Sequence, residues 1–379
     1  MAVTWPRGFR SAGVACGIKS SGDPDLGVIV TGEPALWAGA FTKNAAAAPA
    51  VGWCKSHLSH RVRAVVVNSG NANACAGEAG HRAVGETVVA AAAAIGCEPD
   101  SVLVASTGTI GIALPADKVV AALPATVAGL SESIDAFAGA ILTTDTHPKV
   151  ASHHGSASIV GVAKGAAMVA PNMATMLAFV ATDAQLSQSD LDAALKSAVG
   201  STFDRICVDA CESTNDSVIC LSSGIVPVDV DEFTAGLEDV CADLARQIVG
   251  DAEGSTRIIR IRVAGATDEN AAAGLGRAVA ASTLWRAAVH GSDPNWGRVL
   301  AAMGSVDREL AVDEIEVSLG DAVVFRRGEP LATNGGAHAA MKAGEVVVTC
   351  IVGKGPGAAE ILSADLSPDY VTLNAEGST

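Results

Sequence analysis

Short runs of β-branched residues alternate with longer helix-like runs along the whole 379-residue chain. Runs of the first kind favour strands, and apolar residues that recur along one face favour amphipathic helices. The predicted strands are Leu26–Thr31, Ala64–Asn68, Val102–Ser106, Ser158–Ala163, Leu177–Thr182, Ser217–Leu221, Arg257–Val263, Ile315–Leu319 and Glu345–Ile351. The predicted helices are Arg82–Ile95, Ala116–Leu130, Ser189–Val199, Asp231–Val249 and Glu269–Ala288. In the third helix, Ser189 is the predicted N-cap, with Asp192 three residues on. This alternation indicates an α/β or α+β fold in which helices are layered on sheets.

Composition narrows the class of partner. The net charge is −16 and no basic stripe is present, which disfavours nucleic acid as a partner. The first ten residues lack the apolar stretch of a signal peptide, and the alanine-rich run Val88–Ile95 is too short to span a bilayer. Nine scattered cysteines without a CxxC pair are typical of reduced thiols. We therefore expect a soluble, cytoplasmic protein that binds neither nucleic acid nor membrane.

Common ligand-binding motifs are missing from the sequence. Without a GxxxxGK motif, the run Gly353–Gly357 favours a tight turn over a phosphate loop. Gly274 and Gly276 lie in a helical run, which indicates close helix packing rather than dinucleotide binding. His153 and His154 lack both HExxH spacing and cysteine partners, so we expect surface or loop histidines and no metal. No GxSxG elbow or papain-like cysteine context is present, so Ser-His-Asp and Cys-His chemistry have no support.

The segment Lys164–Phe179, KGAAMVAPNMATMLAF, carries the most chemical information. Pro171 and Asn172 favour a turn, and Thr175 stands at the head of an apolar strand. By β-propensity alone, Thr175 is an ordinary strand residue. If the Ala174–Thr175 peptide bond is cleaved, however, Thr175 gains a free α-amine with a pKa of about 7.7–8.0. That amine could serve as the base for the hydroxyl of the same residue, and no catalytic histidine would be needed.

The same segment strongly resembles the self-processing site of the ornithine acetyltransferase family. Further blocks match the family in the same order, namely Asn68–Asn73, Ala105–Gly111, Thr143–Lys149, Ser213–Asp216, Ala252–Thr256, Asp293–Arg298 and Tyr370–Asn374. The resemblance runs from about Gly8 to the last residue. It implies a layered α-β-β-α sandwich, which this family shares with self-processing aminopeptidases. This chain departs from the family pattern at Ala210-Cys211-Glu212 and in its Glu-Gly-Ser-Thr ending.

The resemblance implies an acetyltransferase. Thr175 would take an acetyl group from N2-acetylornithine, release ornithine and pass the acetyl group to glutamate. Thr107 and Gly108 match the pair that forms the oxyanion hole, and a hydroxyl and a backbone N–H in one turn can donate to one point. Each such donor is typically worth ~10²–10³ in rate. From the residues alone, an ordinary turn at the end of the strand Val102–Ser106 is the favoured interpretation.

The resemblance also implies a set of substrate-binding positions. These are Thr144, Lys164, Thr175, Glu253, Asn374 and Thr379. Several have a plainer structural interpretation. Lys164 could extend along the surface, Asn374 could cap a strand, and Thr379 stands at a chain end, where fraying is common. The opposite charges of Lys164 and Glu253 suit a zwitterionic amino acid. No cofactor is implied, although acetyl-CoA could serve as a second acetyl donor.

Cleavage before Thr175 would divide the chain into an α fragment, 1–174, and a β fragment, 175–379, which the family assembles as α2β2. Two other hypotheses remain at this point. One is a self-processing aminopeptidase or amidohydrolase of the same fold, which would pass its acyl group to water. The other is an unprocessed, non-enzymatic protein in which Thr175 is an ordinary strand residue.

Overall fold

The computed structural model describes residues 3–58, 60–170 and 176–376. The strands are β1 Phe9–Val14, β2 Leu26–Phe41, β3 Val62–Asn68, β4 Val102–Ser106, β5 Lys149–His154, β6 Ser158–Lys164, β7 Leu177–Gln185, β8 Ile206–Cys207, β9 Ser217–Pro227, β10 Ile258–Ala266, β11 Glu316–Leu319, β12 Ala322–Arg326, β13 Glu329–Pro330, β14 Glu345–Ile351 and β15 Gly357–Ala364. The helices are α1 Pro49–Ser56, α2 Gly77–Ile95, α3 Ala116–Ala128, α4 Asp135–Ala140, α5 Gln188–Ser201, α6 Val230–Gly250, α7 Glu269–Ala281, α8 Thr283–His290, α9 Trp296–Val306, α10 Gly336–Ala340 and α11 Pro368–Glu376.

The long strand β2 joins two halves of one sheet. Its first part pairs with β1 and β3, and its last part, from Leu36 to Phe41, pairs with β9. The register shifts between Val30 and Ala35, next to Pro34, which cannot donate a ladder hydrogen bond. One half then runs β4-β3-β2, and the other runs β2-β9-β7-β6-β5. Residues 171–175 therefore connect two neighbouring strands, β6 and β7.

The two halves pack face to face, as the alternation of side chains along their strands requires. Ile29, Val65 and Leu103 from one half share a core with Phe179 and Ile219 from the other. The intervening residues of the first half face α2 and α3, and those of the second half face α5 and α6. These layers are helix, sheet, sheet and helix, which confirms the predicted α-β-β-α sandwich.

A second sheet, β13-β12-β11-β14-β10-β15-β8, is formed by residues after α6, except for β8, which lies between α5 and α6. Helices α7, α8 and α9 share a core with it. Ile206 and Ala364 join the core of α5 and α6, so this sheet is fastened to the sandwich. Gly276 lies where an added Cβ would come within 2.8 Å of Ile361, which confirms close helix packing at this glycine.

Each predicted strand and helix overlaps an observed one, but two details were wrong. The N-cap of α5 is Ser187, whose side chain accepts from the Asp190 N–H, and not Ser189. The predicted helix Glu269–Ala288 is divided at Ser282, which accepts from the Trp285 N–H and so begins α8. His153 and His154 end strand β5, where His154 is exposed and His153 is partly exposed, in line with the predicted surface position. A serine hydroxyl that bonds a nearby N–H competes with the helix ladder, so the serines determine where these helices begin.

Candidate active site

One cleft of about 300 Å³ collects the predicted site residues that the structure describes. These lining residues are Thr107, Gly108, Thr144, Lys164, Glu253 and Asn374. They come from distant parts of the sequence, so only the fold brings them together. Ala174, Thr175 and Thr379 lie outside the described residues, and their roles stay predictions.

The turn after β4 places Thr107 and Gly108 on the cleft wall. Gly108 has φ +128°, and an added Cβ would lie 2.4 Å from the carbonyl carbon of Gly70. Backbone against backbone leaves no room for a side chain, so this position requires glycine. Thr107 is buried, and its N–H donates to the carbonyl oxygen of Asn68 at 3.0 Å. The predicted oxyanion pair therefore lies in a rigid turn.

Buried amide side chains join three of the sequence blocks at this turn. The Ser106 hydroxyl donates to Asn68 Oδ1 at 2.7 Å. Asn215 Nδ2 donates to the carbonyl oxygens of Ala72 and Ser106 at 2.7 and 2.8 Å. Satisfied buried polar groups of this kind fix one local geometry. The blocks at residues 68–73, 105–111 and 213–216 thus support one structural unit.

Lys164 ends strand β6 and is only 2% exposed, which rules out a surface lysine. Its Nζ donates to Thr107 Oγ1 at 2.9 Å. Burial lowers the pKa of the Lys164 ammonium, while the carboxylates of Asp145 and Asp216 oppose that shift. Lys164 thus places a buried hydrogen-bond donor at the oxyanion turn.

Asp145 lies behind Lys164 and fixes the neighbouring backbone. Its carboxylate accepts from Lys149 Nζ at 2.6 Å, from the Gly165 N–H at 2.6 Å and from the Thr143 N–H at 3.0 Å. Burial alone would raise the pKa of this carboxyl, but Lys164 and Lys149 lower it to about 2. Thr143 and Thr144 line the cleft.

Thr146 belongs to the same sequence block but has a different role. Its hydroxyl and N–H both donate to the carboxylate of Asp251, with the N–H at 3.0 Å. Asp251 also accepts from Lys149 Nζ at 2.5 Å. Thr146 is therefore engaged in holding this loop, which leaves Thr143 and Thr144 as the cleft threonines of the block.

Glu253 and helix α11 close the other side of the cleft. Glu253 is half-buried, and its N–H donates to the carbonyl oxygen of Ala166 at 2.9 Å. Asn374 is exposed on α11, where its Nδ2 donates to Glu253 Oε2 at 2.8 Å. Asn374 thus lies in a helix and does not cap a strand. Gly254 has φ +64° and lets α11 approach, since an added Cβ would lie 2.4 Å from the Tyr370 nitrogen.

Two aspartates hold the chain on either side of residues 171–175. Asp209 accepts from the N–H groups of Met168 and Val169 at 2.5 and 2.9 Å. Asp216 accepts from the Met176 N–H at 3.1 Å and is fully buried. Burial raises the pKa of Asp216 well above its ordinary value. Both aspartates stand in or beside the Ser213–Asp216 block.

Sequence reasoning missed several residues that shape the cleft. Asp209, Cys211 and Tyr370 line it, and Asp145 supports it from behind. Membership of the recognised blocks was the available signal for Asp145 and Tyr370. Asp209 and Cys211 precede the preserved Ser-Thr-Asn-Asp sequence, and no pattern marked them.

Groups that suit a metal ion lie elsewhere. Within the described ranges, His57, His60 and Asp100 form a cluster of ligand-type side chains, and none of them lines the cleft. No helix of the described chain has both the length and the apolar character needed to cross a membrane.

The fold and cleft define an α-β-β-α sandwich enzyme with a small, polar, amino-acid-sized site. The ArgJ family model matches residues 10–379, and the chain belongs to this family. The chain is 44% identical to the arginine biosynthesis bifunctional protein ArgJ of Thermus thermophilus, over 99% of each chain. It is 43% identical to the protein of the same name from Thermobifida fusca, over 100% of each chain.

A solved structure supports the same assignment. The crystal structure of the arginine biosynthesis bifunctional protein from Bacillus halodurans is 32% identical and has a TM-score of 0.50. The match covers 52% of this chain and 98% of that chain. Family membership confirms the resemblance found in the sequence, makes the chain an arginine biosynthesis enzyme and favours the acetyltransferase over the aminopeptidase.

Proposed function

We propose that this cleft transfers an acetyl group from N2-acetylornithine to glutamate through an acetyl-Thr175 intermediate, giving ornithine and N-acetylglutamate. The observation that carries the proposal is the meeting of Thr107 and Gly108 with Lys164 and Glu253 in one cleft of about 300 Å³. The first pair suits a tetrahedral oxyanion, and the second suits the opposite charges of an amino acid.

The substrates share one end and differ at the other. Acetylornithine and acetylglutamate both carry an acetylated α-amine and an α-carboxylate, whereas one side chain ends in an ammonium and the other in a carboxylate. Asn374 and Thr379 suit the variable end, because amides and hydroxyls accept either charge. Glu253 favours the ammonium of ornithine, and Thr144 adds a hydroxyl to the lining of the cleft.

Cleavage between Ala174 and Thr175 supplies the base. The new α-amine of Thr175 takes the proton of its own hydroxyl as that oxygen attacks the acetyl carbonyl carbon. The C–N bond to ornithine then breaks, and the departing amine receives the proton. The amine of glutamate attacks the carbonyl carbon of the Thr175 ester, the ester C–O bond breaks, and a proton lost by that amine returns to the Thr175 oxygen and regenerates the hydroxyl.

The length of the solved relative supports a division of the chain. The Bacillus halodurans chain is matched over 98% of its own length yet covers 52% of this chain, so it is about half as long. Division before Thr175 accounts for a chain of that length. The strands on either side of residues 171–175 are hydrogen-bonded neighbours, which would keep the two fragments together.

The assembly and location are part of the same proposal. We propose a cytoplasmic α2β2 heterotetramer of the fragments 1–174 and 175–379, without a metal or bound cofactor. Acetyl-CoA serves as a second acetyl donor to glutamate if this chain shares the two activities implied by the name of its bifunctional relatives.

A steady-state assay with three substrate mixtures tests the proposal. The first contains acetylornithine and glutamate, the second contains acetylornithine without an acceptor, and the third contains acetyl-CoA and glutamate. We expect parallel double-reciprocal lines for the first pair and an acetyl adduct on the β fragment by mass spectrometry. Intersecting lines without an adduct would refute the covalent scheme, and rapid hydrolysis in buffer alone would restore the aminopeptidase or amidohydrolase alternative.

A further inference from the structure

We infer that Lys164 is a positioning residue of the oxyanion site, which acts through the hydroxyl of Thr107 rather than only on a substrate carboxylate. Its ammonium donates to Thr107 Oγ1, so that the Thr107 O–H is left to point at the oxyanion. This inference rests on the proposed function and adds a role in self-cleavage, where no free amino acid takes part.

The direction of the hydrogen bond follows from the donor inventory. An ammonium has three N–H donors and no acceptor, whereas a threonine hydroxyl has one donor and two acceptor sites. With Lys164 as an ammonium, its Nζ donates to Thr107 Oγ1 across the separation of 2.9 Å. Within residues 3–58, 60–170 and 176–376, no acceptor for the Thr107 hydroxyl proton is found. That proton is therefore available to a ligand in the cleft.

Burial makes the arrangement effective. Lys164 and Thr107 are each 2% exposed, so water hardly screens the bond between them. A hydroxyl that accepts one hydrogen bond donates a stronger one, because linked hydrogen bonds polarise one another at low dielectric. A charge-assisted bond to Oγ1 thus strengthens the bond that the same hydroxyl gives to an oxyanion.

The charges around Lys164 act on its pKa in both directions, and burial makes the net shift downward. Burial and the ammonium groups of Lys149 and Lys19 lower its pKa, while the carboxylates of Asp145 and Asp216 raise it. Asp145 is itself fixed by Lys149 and by the Gly165 N–H. The Asp145 carboxylate beside Lys164 is thus held by the backbone N–H of the next residue, Gly165.

Self-cleavage separates this role from substrate binding. Attack of the Thr175 hydroxyl on the Ala174 carbonyl carbon creates an oxyanion within the chain, without ornithine or glutamate. A lysine that serves only a substrate carboxylate is idle in that step. A lysine that orients Thr107 is needed there as much as in acetyl transfer.

The test follows the processing rate of the newly synthesised full-length chain on denaturing gels, without substrates. We expect Lys164→Met to slow processing by about 10–100-fold, and Thr107→Ala to slow it by ~10²–10³. The double variant should be no slower than Thr107→Ala alone, because Lys164 acts through that hydroxyl. The matched control is Lys196→Met, at an exposed helix position, which should process at the wild-type rate.

A second pair of variants guards against simple misfolding. Lys164→Arg keeps the charge and Lys164→Gln keeps a neutral donor, so both should process faster than Lys164→Met. The three variants are compared where their thermal unfolding midpoints agree, so that a difference in rate does not reflect misfolding. If all three Lys164 variants process at the wild-type rate while the KM for acetylornithine rises, Lys164 only binds substrate and the inference is wrong, although the proposed function stands. Equal slowing in all three, additive with Thr107→Ala, would also overturn the inference. A wild-type chain that is never cleaved would contradict the proposed function itself.

Discussion

The cleft has two sides of different character. One wall consists of Thr107, Gly108 and Lys164, of which Thr107 and Lys164 are buried, and the open rim consists of Glu253, Tyr370 and Asn374. Lys164 is 2% exposed, whereas Asn374 is exposed to solvent. Electrostatic effects are strong where water is excluded and weak where it enters. From this difference we expect the wall to serve the reaction shared by both substrates, and the rim to tolerate the side-chain ends that differ between them.

The largest expected effect concerns the nucleophile that the wall serves. Thr175→Ala should abolish both processing and acetyl transfer, because it removes the attacking hydroxyl. Thr175→Ser should still be processed and keep part of the activity, since the hydroxyl and the α-amine both survive. Gels and the transfer assay measure both variants. Full activity in Thr175→Ala would show that the reaction needs no covalent intermediate on Thr175.

The second effect tests the wall itself. Thr107→Ala should slow processing and transfer by ~10²–10³ each, because both pass through a tetrahedral oxyanion. Rates from single-turnover acetylation and from processing gels should fall together. If either rate stayed at the wild-type value, the wall would not serve a common step, and the oxyanion assignment would be wrong.

The third effect tests how the wall is supported. Asp145→Asn removes the carboxylate charge that faces the buried Lys149 and Lys164. We expect this to lower the free energy of unfolding by about 3–5 kcal/mol. Urea denaturation measures this loss. The control is Asp243→Asn on the exposed face of α6, which should change stability by less than about 0.5 kcal/mol. An equally small change in Asp145→Asn would show that the ion pair of Asp145 with Lys149 does not support the wall.

The same carboxylate predicts an acid dependence. The pKa of Asp145 is about 2 in the folded chain, below the value of about 3.9 expected when unfolded. A depressed pKa stabilises the fold above pH ~3.9, and this contribution is lost as the pH falls towards 2. The stability difference between wild type and Asp145→Asn should therefore narrow over that range.

The smallest effect concerns the rim. Glu253→Gln should weaken acetylornithine use more than glutamate use, by about 1 kcal/mol, because Glu253 is half-buried and its charge is partly screened. The hydrogen bond from Asn374 survives, since glutamine keeps an acceptor oxygen. Comparison of kcat/KM for the two substrates gives the answer. Equal losses would remove Glu253 from charge discrimination.

The sequence predicted much of the sandwich because its buried strands are rich in β-branched residues. Val102–Ser106 and Glu345–Ile351 were found with the observed bounds. Strands β1 and β15 were missed, since glycine, alanine and polar residues interrupt their apolar patterns. Helix α9 was missed as well, although it begins within the recognised Asp293–Arg298 block.

The candidate site was predictable only in part, for a physical reason. The family blocks identified Thr107, Gly108, Lys164 and Glu253, and the fold brings them together. The bond from Lys164 to Thr107 joins residues 57 positions apart, and no local pattern encodes such a contact. A prediction from residue types could propose a lysine for a carboxylate, but it could not show which hydroxyl that lysine reaches.

The central claim is that the wall acts on a threonine freed by cleavage of its own chain. N-terminal sequencing of the purified, active protein, after denaturing electrophoresis, tests it most directly. The account predicts two bands, 1–174 and 175–379, and the second should begin Thr-Met-Leu-Ala. A single full-length band in fully active enzyme would contradict the account, because the α-amine that serves as the base would not exist.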